Sequence, residues 1–259
     1  MLRNLWRKSF DCAASWSAPI AVGLIGALGC APAAACGAAL VLAIDVSSSV
    51  NDWEYDLIRR GHEAAFRDPE LIDIVRSNGL RVMAMHWSGP DHQLVHTPWR
   101  ALDTEADALA FAALLGKAPR QSFQERTALG SALERLTDIW GPEERACARR
   151  IIDVTADGVN NAGPSAAAAR ERLIADGVTL NALVVLGDYP NPMFFYEREV
   201  IGGPGAFMET ALNFATYARA FRRKLLRELR PSLAALPAGD AVAARAEPRR
   251  PDPRDRRSP

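Results

Sequence analysis

Leu40-Val41-Leu42-Ala43-Ile44 is an uninterrupted apolar run, and Asp45-Val46-Ser47-Ser48-Ser49 follows it directly. An apolar run without polar alternation is typical of a strand buried on both faces, as in a parallel sheet covered by helices. Ligands of such sheets bind beyond the carboxyl ends of the strands. A carboxylate and two hydroxyls at that place are hard oxygen ligands suited to a divalent cation. Alone, the same residues would also suit a strand that ends in an acidic turn with serine helix caps.

Composition and charge restrict the class of protein. The chain has 259 residues, of which 49% are hydrophobic and 24% charged, as is usual for a globular protein. The 31 basic side chains equal the 31 acidic ones. This balance lacks the positive charge of a nucleic-acid-binding domain, and we expect no nucleic acid partner.

The first 35 residues have the pattern of a signal peptide. Arg3, Arg7 and Lys8 precede an apolar stretch over 19–28, and Ala-x-Ala cleavage choices lie just before Cys36. The apolar stretch is shorter than the ~20 residues of a spanning helix, so we expect no membrane span after signal removal. Leu28-Gly29-Cys30 is a weaker, lipoprotein-like alternative for cleavage. The pattern predicts export, to the periplasm or as a secreted protein.

Strand and helix patterns alternate along the rest of the chain. Strands are predicted near 40–45, 80–88, 93–97, 150–155, 178–186 and 206–209, and helices between them include 127–140 and a long last one over 212–229. The tight turn at 89–91 makes the third strand antiparallel to the second. We attribute the basic end of the last helix to the helix dipole.

These patterns predict a doubly wound α/β fold. Its sheet is mostly parallel with one antiparallel edge strand, and helices cover both faces. The domain is expected over 36–236. The Pro- and Arg-rich residues 237–259 are expected to form a disordered tail.

Two further segments point to the end of the first strand. Ile151-Ile152-Asp153-Val154-Thr155-Ala156-Asp157-Gly158 is a second buried strand that finishes in a carboxylate, and Thr127 opens a predicted helix. Together, Asp45, Ser47, Ser49, Thr127 and Asp157 resemble the metal-ion-dependent adhesion site of von Willebrand factor type A domains. One departure is Arg126, since the pattern usually has Gly before the Thr.

The resemblance covers roughly residues 40–229 and is closest to a group of bacterial exported type A-like proteins of unknown function. The segments that carry it are 44–50, 86–90, 147–150, 200–207 and 222–226. It implies that the five residues bind a divalent cation, with Mg²⁺ favoured over Mn²⁺ or Ca²⁺. It also implies a partner protein whose carboxylate completes the coordination. Asp188, after the fifth strand, is a possible outer ligand. No catalytic residue is implied.

Two other functions remain possible from the residues. A strand ending in Asp also resembles metal-dependent phosphate ester hydrolases that use an aspartyl nucleophile, which here would be Asp45. Such enzymes carry a second Asp two residues later, where this chain has Ser47. His86, His92 and His96 surround the hairpin and could suggest zinc, but no cysteine or acid-rich partner accompanies them.

The resemblance further implies a disulfide between Cys36 and Cys147. In type A domains the strands that would end at Asp45 and Asp157 are parallel neighbours. Cys36 lies nine residues before Asp45, and Cys147 lies ten before Asp157. Both should reach the amino edge of the sheet on adjacent strands, about 4.8 Å apart, which suits a disulfide.

Overall fold

A computed structural model describes residues 36–121, 125–187 and 191–230. All the described residues belong to one compact unit. The expected signal peptide, 1–35, and the expected tail, 237–259, lie outside the described residues.

Six strands form one sheet in the order β3-β2-β1-β4-β5-β6. Every neighbouring pair is parallel except β2 with β3. The predicted mostly parallel sheet with one antiparallel edge strand is therefore confirmed. The strands are β1 (Ala38–Asp45), β2 (Leu80–Trp87), β3 (Gln93–Leu102), β4 (Arg150–Ala156), β5 (Val178–Val185) and β6 (Met208–Ala211).

Eight α-helices lie in the described part of the chain, together with 3-10 turns at Leu136–Asp138 and Phe214–Thr216. The first α-helix follows the loop that contains Ser47, Ser48 and Ser49, which we call the serine loop. Asn51 caps this helix and accepts hydrogen bonds from the backbone of Trp53 and Glu54 in a capping box. The helices are α1 (Asp52–Phe66), α2 (Pro69–Asn78), α3 (Glu105–Lys117), α4 (Leu129–Arg135), α5 (Pro142–Arg145), α6 (Ala166–Ala175), α7 (Met193–Glu199) and α8 (Tyr217–Leu229).

Several predicted boundaries were wrong. β3 continues through Pro98 to Leu102, because a proline is tolerated on an edge strand. β6 begins at Met208 rather than 206, and α8 begins at Tyr217 rather than 212 because Asn213 caps a 3-10 turn first. The helix predicted over 127–140 begins at Leu129 and ends at Arg135. Short helix α5 had no predicted counterpart.

The sheet separates two apolar cores. On β1, Leu40, Leu42 and Ile44 contribute to the core that also contains α1, α2, α3 and α8. Val41 and Ala43 contribute to the core on the other face, beneath α4, α6 and α7. All eight residues of β1 are buried, as the apolar run predicts. Among the described residues, no helix is long and apolar enough to span a membrane.

A disulfide joins Cys36 to Cys147 at the amino edge of the sheet, with the two Cα atoms 4.6 Å apart. It follows from the register of β1 and β4. Ala39 pairs with Arg150, an offset of 111 residues (150 − 39), and the same separation of 111 joins the two cysteines. The predicted bridge is thus confirmed.

A buried ion cluster lies between α8 and the sheet. The Lys224 Nζ lies 2.5 Å from the Asp153 Oδ1 and 2.5 Å from the Glu228 Oε1, and all three side chains are inaccessible or nearly so. Asn181 donates a 2.8 Å hydrogen bond to the same Glu228 oxygen. Burial raises the pKa of both carboxyl groups, and the ammonium group opposes that shift.

Candidate metal-binding site

All five residues of the predicted oxygen constellation meet at the carboxyl edge of the sheet. Thr127 Oγ1 donates to Ser47 Oγ at 3.3 Å, and Ser47 Oγ and Ser49 Oγ are 3.2 Å apart. Ser49 Oγ donates to Asp157 Oδ1 at 2.8 Å. Parallel strands β1 and β4 bring the two acids to the same edge, and the loop after β1 carries the serines toward Asp157.

Asp45 lies at the bottom of this group and is fully buried. One carboxylate oxygen, Oδ1, accepts a 2.8 Å hydrogen bond from the backbone N–H of Ser47. The other, Oδ2, is buried without a hydrogen-bond partner. Burial raises the pKa of Asp45, and repulsion from Asp157 adds a smaller contribution in the same direction. An unpartnered buried carboxylate oxygen is costly, so this position favours a bound positive charge.

Thr127 is positioned by a loop and not by a helix. The prediction that Thr127 opens the helix was wrong, because α4 begins two residues later. The Thr127 backbone N–H donates to the Asn161 side chain at 2.9 Å, and its carbonyl accepts from the backbone of Asn161 and Ala162. These bonds fix Thr127 against the loop that follows Asp157.

The same loop approaches α4 closely at Gly130. A Cβ atom at this glycine would lie 2.0 Å from the Pro164 carbonyl oxygen, so no larger residue fits without displacement. The Gly130 N–H also donates to the Asn160 side chain at 3.0 Å. The consecutive asparagines after Asp157-Gly158 were a usable sequence signal, since asparagine side chains often bond to loop backbone.

Arg120 is a further contributor that sequence reasoning missed. Its Nη2 donates to the carbonyls of Ser47, at 3.1 Å, and Val50, and its Nη1 bonds to Asp52 at 2.8 Å. The guanidinium therefore fixes the backbone of the serine loop by hydrogen bonds to its carbonyl oxygens. No local pattern reveals it, because Arg120 lies about seventy residues away in a polar loop.

The chemistry of the site suits a hard divalent cation. Its side-chain ligand atoms are hydroxyl and carboxylate oxygens, the type that Mg²⁺, Mn²⁺ and Ca²⁺ prefer. Asp45, Ser47, Thr127 and Asp157 are buried, whereas Ser49 is exposed. The group is therefore open to solvent on the Ser49 side. The Arg126 side chain, where the type A pattern usually has Gly, is also exposed.

The three histidines of the hairpin do not join this group. Asp188 lies outside the described residues. His86 and His96 stack with ring centroids 4.1 Å apart, and His86 contacts the Tyr55 hydroxyl at 3.0 Å. In the part of the chain that the structure describes, no group of three or more His, Cys, Asp or Glu side chains is placed to hold a metal. The zinc alternative gains no support from this geometry.

Solved structures place the domain in the class of von Willebrand factor type A folds. Proximal thread matrix protein 1 from the mussel byssus is 17% identical, with a TM-score of 0.56 over 75% of this chain and 48% of that one. A further structure of that protein carries a zinc-occupied MIDAS motif, the abbreviation for a metal-ion-dependent adhesion site. A von Willebrand factor type A structure from Catenulispora acidiphila is 16% identical, with a TM-score of 0.54 over 75% and 43% of the two chains.

The pilus adhesin SpaC from Lactobacillus rhamnosus GG, in its open conformation, is 13% identical, with a TM-score of 0.56 over 75% of this chain and 30% of that one. This chain spans about half the length of the first of these structures and less of the others. Such similarity establishes the fold.

The particular family is defined by sequence. Residues 35–233 match a family described as "Protein of unknown function (DUF1194)", and the chain belongs to that family. No curated protein is significantly similar to it.

Proposed function

We propose that the protein is an exported binding module that uses a divalent cation, with Mg²⁺ favoured, to capture a carboxylate of a partner protein. The cation ligands would be Asp45, Ser47, Ser49, Thr127 and Asp157. The observation that carries the proposal is the Asp45 Oδ2 atom, which is buried without a partner beside a chain of hydroxyls that leads to a second acid. The type A fold and the zinc-occupied motif of the byssus protein support it.

The ligand set suits the binding of a further carboxylate. When bound, the cation would supply a Lewis-acidic position that a partner carboxylate can occupy. Three of the five side chains are neutral hydroxyls, so the two carboxylates would only balance the charge of a divalent cation. The cation would then still attract a third carboxylate, from a partner. Ser49, the exposed member, marks the open side.

Metal binding is tested first, by calorimetric titration of the protein with Mg²⁺, Mn²⁺ and Ca²⁺. We expect one cation per chain for the wild type and none for Asp45→Ala. Asp73→Ala is the matched control, because this acid lies on the exposed side of α2. Absence of binding of all three ions to the wild type would refute the proposed site.

Capture of a partner is tested separately, with the tagged protein incubated with envelope extract in Mg²⁺ or in EDTA. We expect a protein retained by wild type in Mg²⁺, released by EDTA and by excess free glutamate, and not retained by Asp45→Ala. Metal-dependent hydrolysis of phosphate esters that is lost in Asp45→Asn would instead favour the hydrolase alternative.

A further inference from the structure

A cavity of about 430 Å³ lies near the amino ends of β4 and β5, at the opposite edge of the sheet from the proposed metal site. Its lining includes Arg149, Asn181, Phe207, Arg227, Glu228 and Arg230. Its volume falls in the range of small-molecule sites, about 300–1,000 Å³.

The wall formed by the loop before β6 is fixed in place. Leu180 and Gly202 exchange backbone hydrogen bonds of 2.8 and 3.1 Å, and the Phe207 N–H donates to Asn181 Oδ1 at 2.9 Å. Gly203 has a φ of 90°, and a Cβ there would lie 2.5 Å from the Val178 carbonyl oxygen. The loop therefore needs glycine at this point, and the cavity is formed before any ligand arrives.

Two guanidinium groups on this cavity make no ion pair within 4.0 Å among the described residues, although the Glu228 carboxylate interacts with Arg149 at longer range. Arg149 is half-buried and donates only to the carbonyls of Glu228 and Leu229. Arg227 lies over the ring of Phe207, with its Cζ 3.7 Å from the ring centroid, and makes no described ion pair. Stacking uses the face of a guanidinium, so its in-plane N–H donors remain available for an anion.

The charge around the cavity favours an anion over a cation. The acids nearby are Glu228, Asp153 behind it and Glu70, which pairs with Arg230. The cations are Arg149, Arg227, Arg230 and the buried Lys224. Cations outnumber carboxylates even when all three acids are ionised, so the surplus charge is positive.

We propose that this cavity is a second binding site, which takes a small organic anion and holds its carboxylate or phosphate group with Arg149 and Arg227. The planar guanidinium fork suits both kinds of anionic group. Apolar surface from Ile151 and Phe207 would contact the remainder of the ligand. Two of the segments that carry the family resemblance, 147–150 and 200–207, contribute lining residues to this cavity, and neither contains a residue of the proposed metal site.

The test is a calorimetric titration at constant ionic strength with succinate, benzoate, inorganic phosphate and glycerol phosphate. The protein is treated with chelator and then desalted, so that a cation at the other site cannot bind the anions. We expect saturable binding of at least one probe at about 1 mM or below. Binding by carboxylates alone or by phosphates alone assigns the anionic group.

Two variants on α8 distinguish anion binding in this cavity from nonspecific attraction of anions to a basic surface. Arg227→Gln should weaken binding about ten-fold or more, because it removes charge-assisted hydrogen bonds. Arg219→Gln, an exposed arginine on the same helix that does not line the cavity, should bind as the wild type does. The proposal is overturned if no probe binds the wild type, or if Arg227→Gln and Arg219→Gln bind equally well.

Discussion

Two pairs of buried carboxyl groups lie in different parts of the fold, one between α8 and the sheet and one at the carboxyl edge of the sheet, and their surroundings differ. Asp153 and Glu228 have a lysine between them, with Lys224 2.5 Å from an oxygen of each. At the carboxyl edge, Asp45 and Asp157 have hydroxyl groups between them instead. At least one oxygen of Asp45, of Asp153 and of Glu228 is buried without a hydrogen-bond partner, so the lysine is what distinguishes the two pairs. Asp153 lies within β4 and Glu228 on α8, whereas Asp45 ends β1 and Asp157 follows β4.

We interpret the pair around Lys224 as a structural cluster and the pair at the carboxyl edge as part of the proposed metal site. A buried carboxylate that is not compensated costs free energy, and a buried lysine is the compensation that the fold itself can provide. Where the chain provides hydroxyls instead, our proposal assigns the compensation to a bound cation. Buried His62 is a third case, since burial lowers its pKa to about 3 and keeps it neutral.

The largest effect is expected for Lys224→Met. Removing the ammonium leaves two buried carboxyl groups uncompensated, which should lower the free energy of unfolding by about 3–5 kcal/mol. Urea denaturation measures this. Lys117→Met, which removes an exposed lysine at the end of α3, should change stability by less than about 0.5 kcal/mol.

Asp45→Asn, measured in EDTA, sharpens the same comparison. Because its Oδ2 has no partner, neutralising this carboxylate should not destabilise the metal-free protein. A loss as large as that of Lys224→Met would show that the two acid pairs do not differ in the way described.

Next in size is the disulfide at the amino edge. Cys36→Ser with Cys147→Ser removes a constraint on a loop of about 110 residues, and should lower the free energy of unfolding by about 2–4 kcal/mol. The double variant should still bind a cation, since the bridge lies at the far edge from the proposed site. Mass spectrometry of the exported protein without reductant supplies the control, because two free thiols would contradict the bridge.

Cation binding should stabilise the fold by a comparable or smaller amount. At a concentration 100-fold above Kd, a bound divalent cation raises the free energy of unfolding by about 2.7 kcal/mol. We expect the increase in Mg²⁺ for wild type and for Lys117→Met, and no increase for Asp45→Ala. A Mg²⁺ effect that survives Asp45→Ala would place the ion elsewhere.

The effect that is seen only on acidification is the contribution of His62 to the pH dependence of stability. Its pKa falls from 6.5 to about 3 in the folded state, mainly through burial, so the unfolded chain takes up a proton first. Stability is therefore full above pH 6.5 and declines as pH falls toward about 3. One proton contributes a slope of about 1.4 kcal/mol per pH unit, which His62→Phe should remove between pH 6 and 4. Equal slopes for the two proteins would contradict a neutral, buried His62.

Much of the fold was predictable because its signals are local. The apolar runs of β1 and β4 predicted a buried parallel sheet, and the acids that follow them predicted which residues reach the carboxyl edge. The distance from each cysteine to its strand end, with the pairing that the type A resemblance implied, gave the disulfide. Helix boundaries were less predictable, because caps such as Asn213 and close contacts such as Gly130 act only in the folded chain.

Tertiary structure alone decided what surrounds these residues. The basic end of α8 was attributed to the helix dipole, yet Lys224 is buried against Asp153, 71 positions away (224 − 153), and this prediction was incomplete. Arg120 behind the serine loop, Asn161 behind Thr127, and the arginine-lined cavity likewise join segments distant in sequence. Periodicity fixes which face of a strand or helix is apolar. Which side chains meet across two packed elements depends on register and packing angle, and the sequence encodes these only through the whole fold.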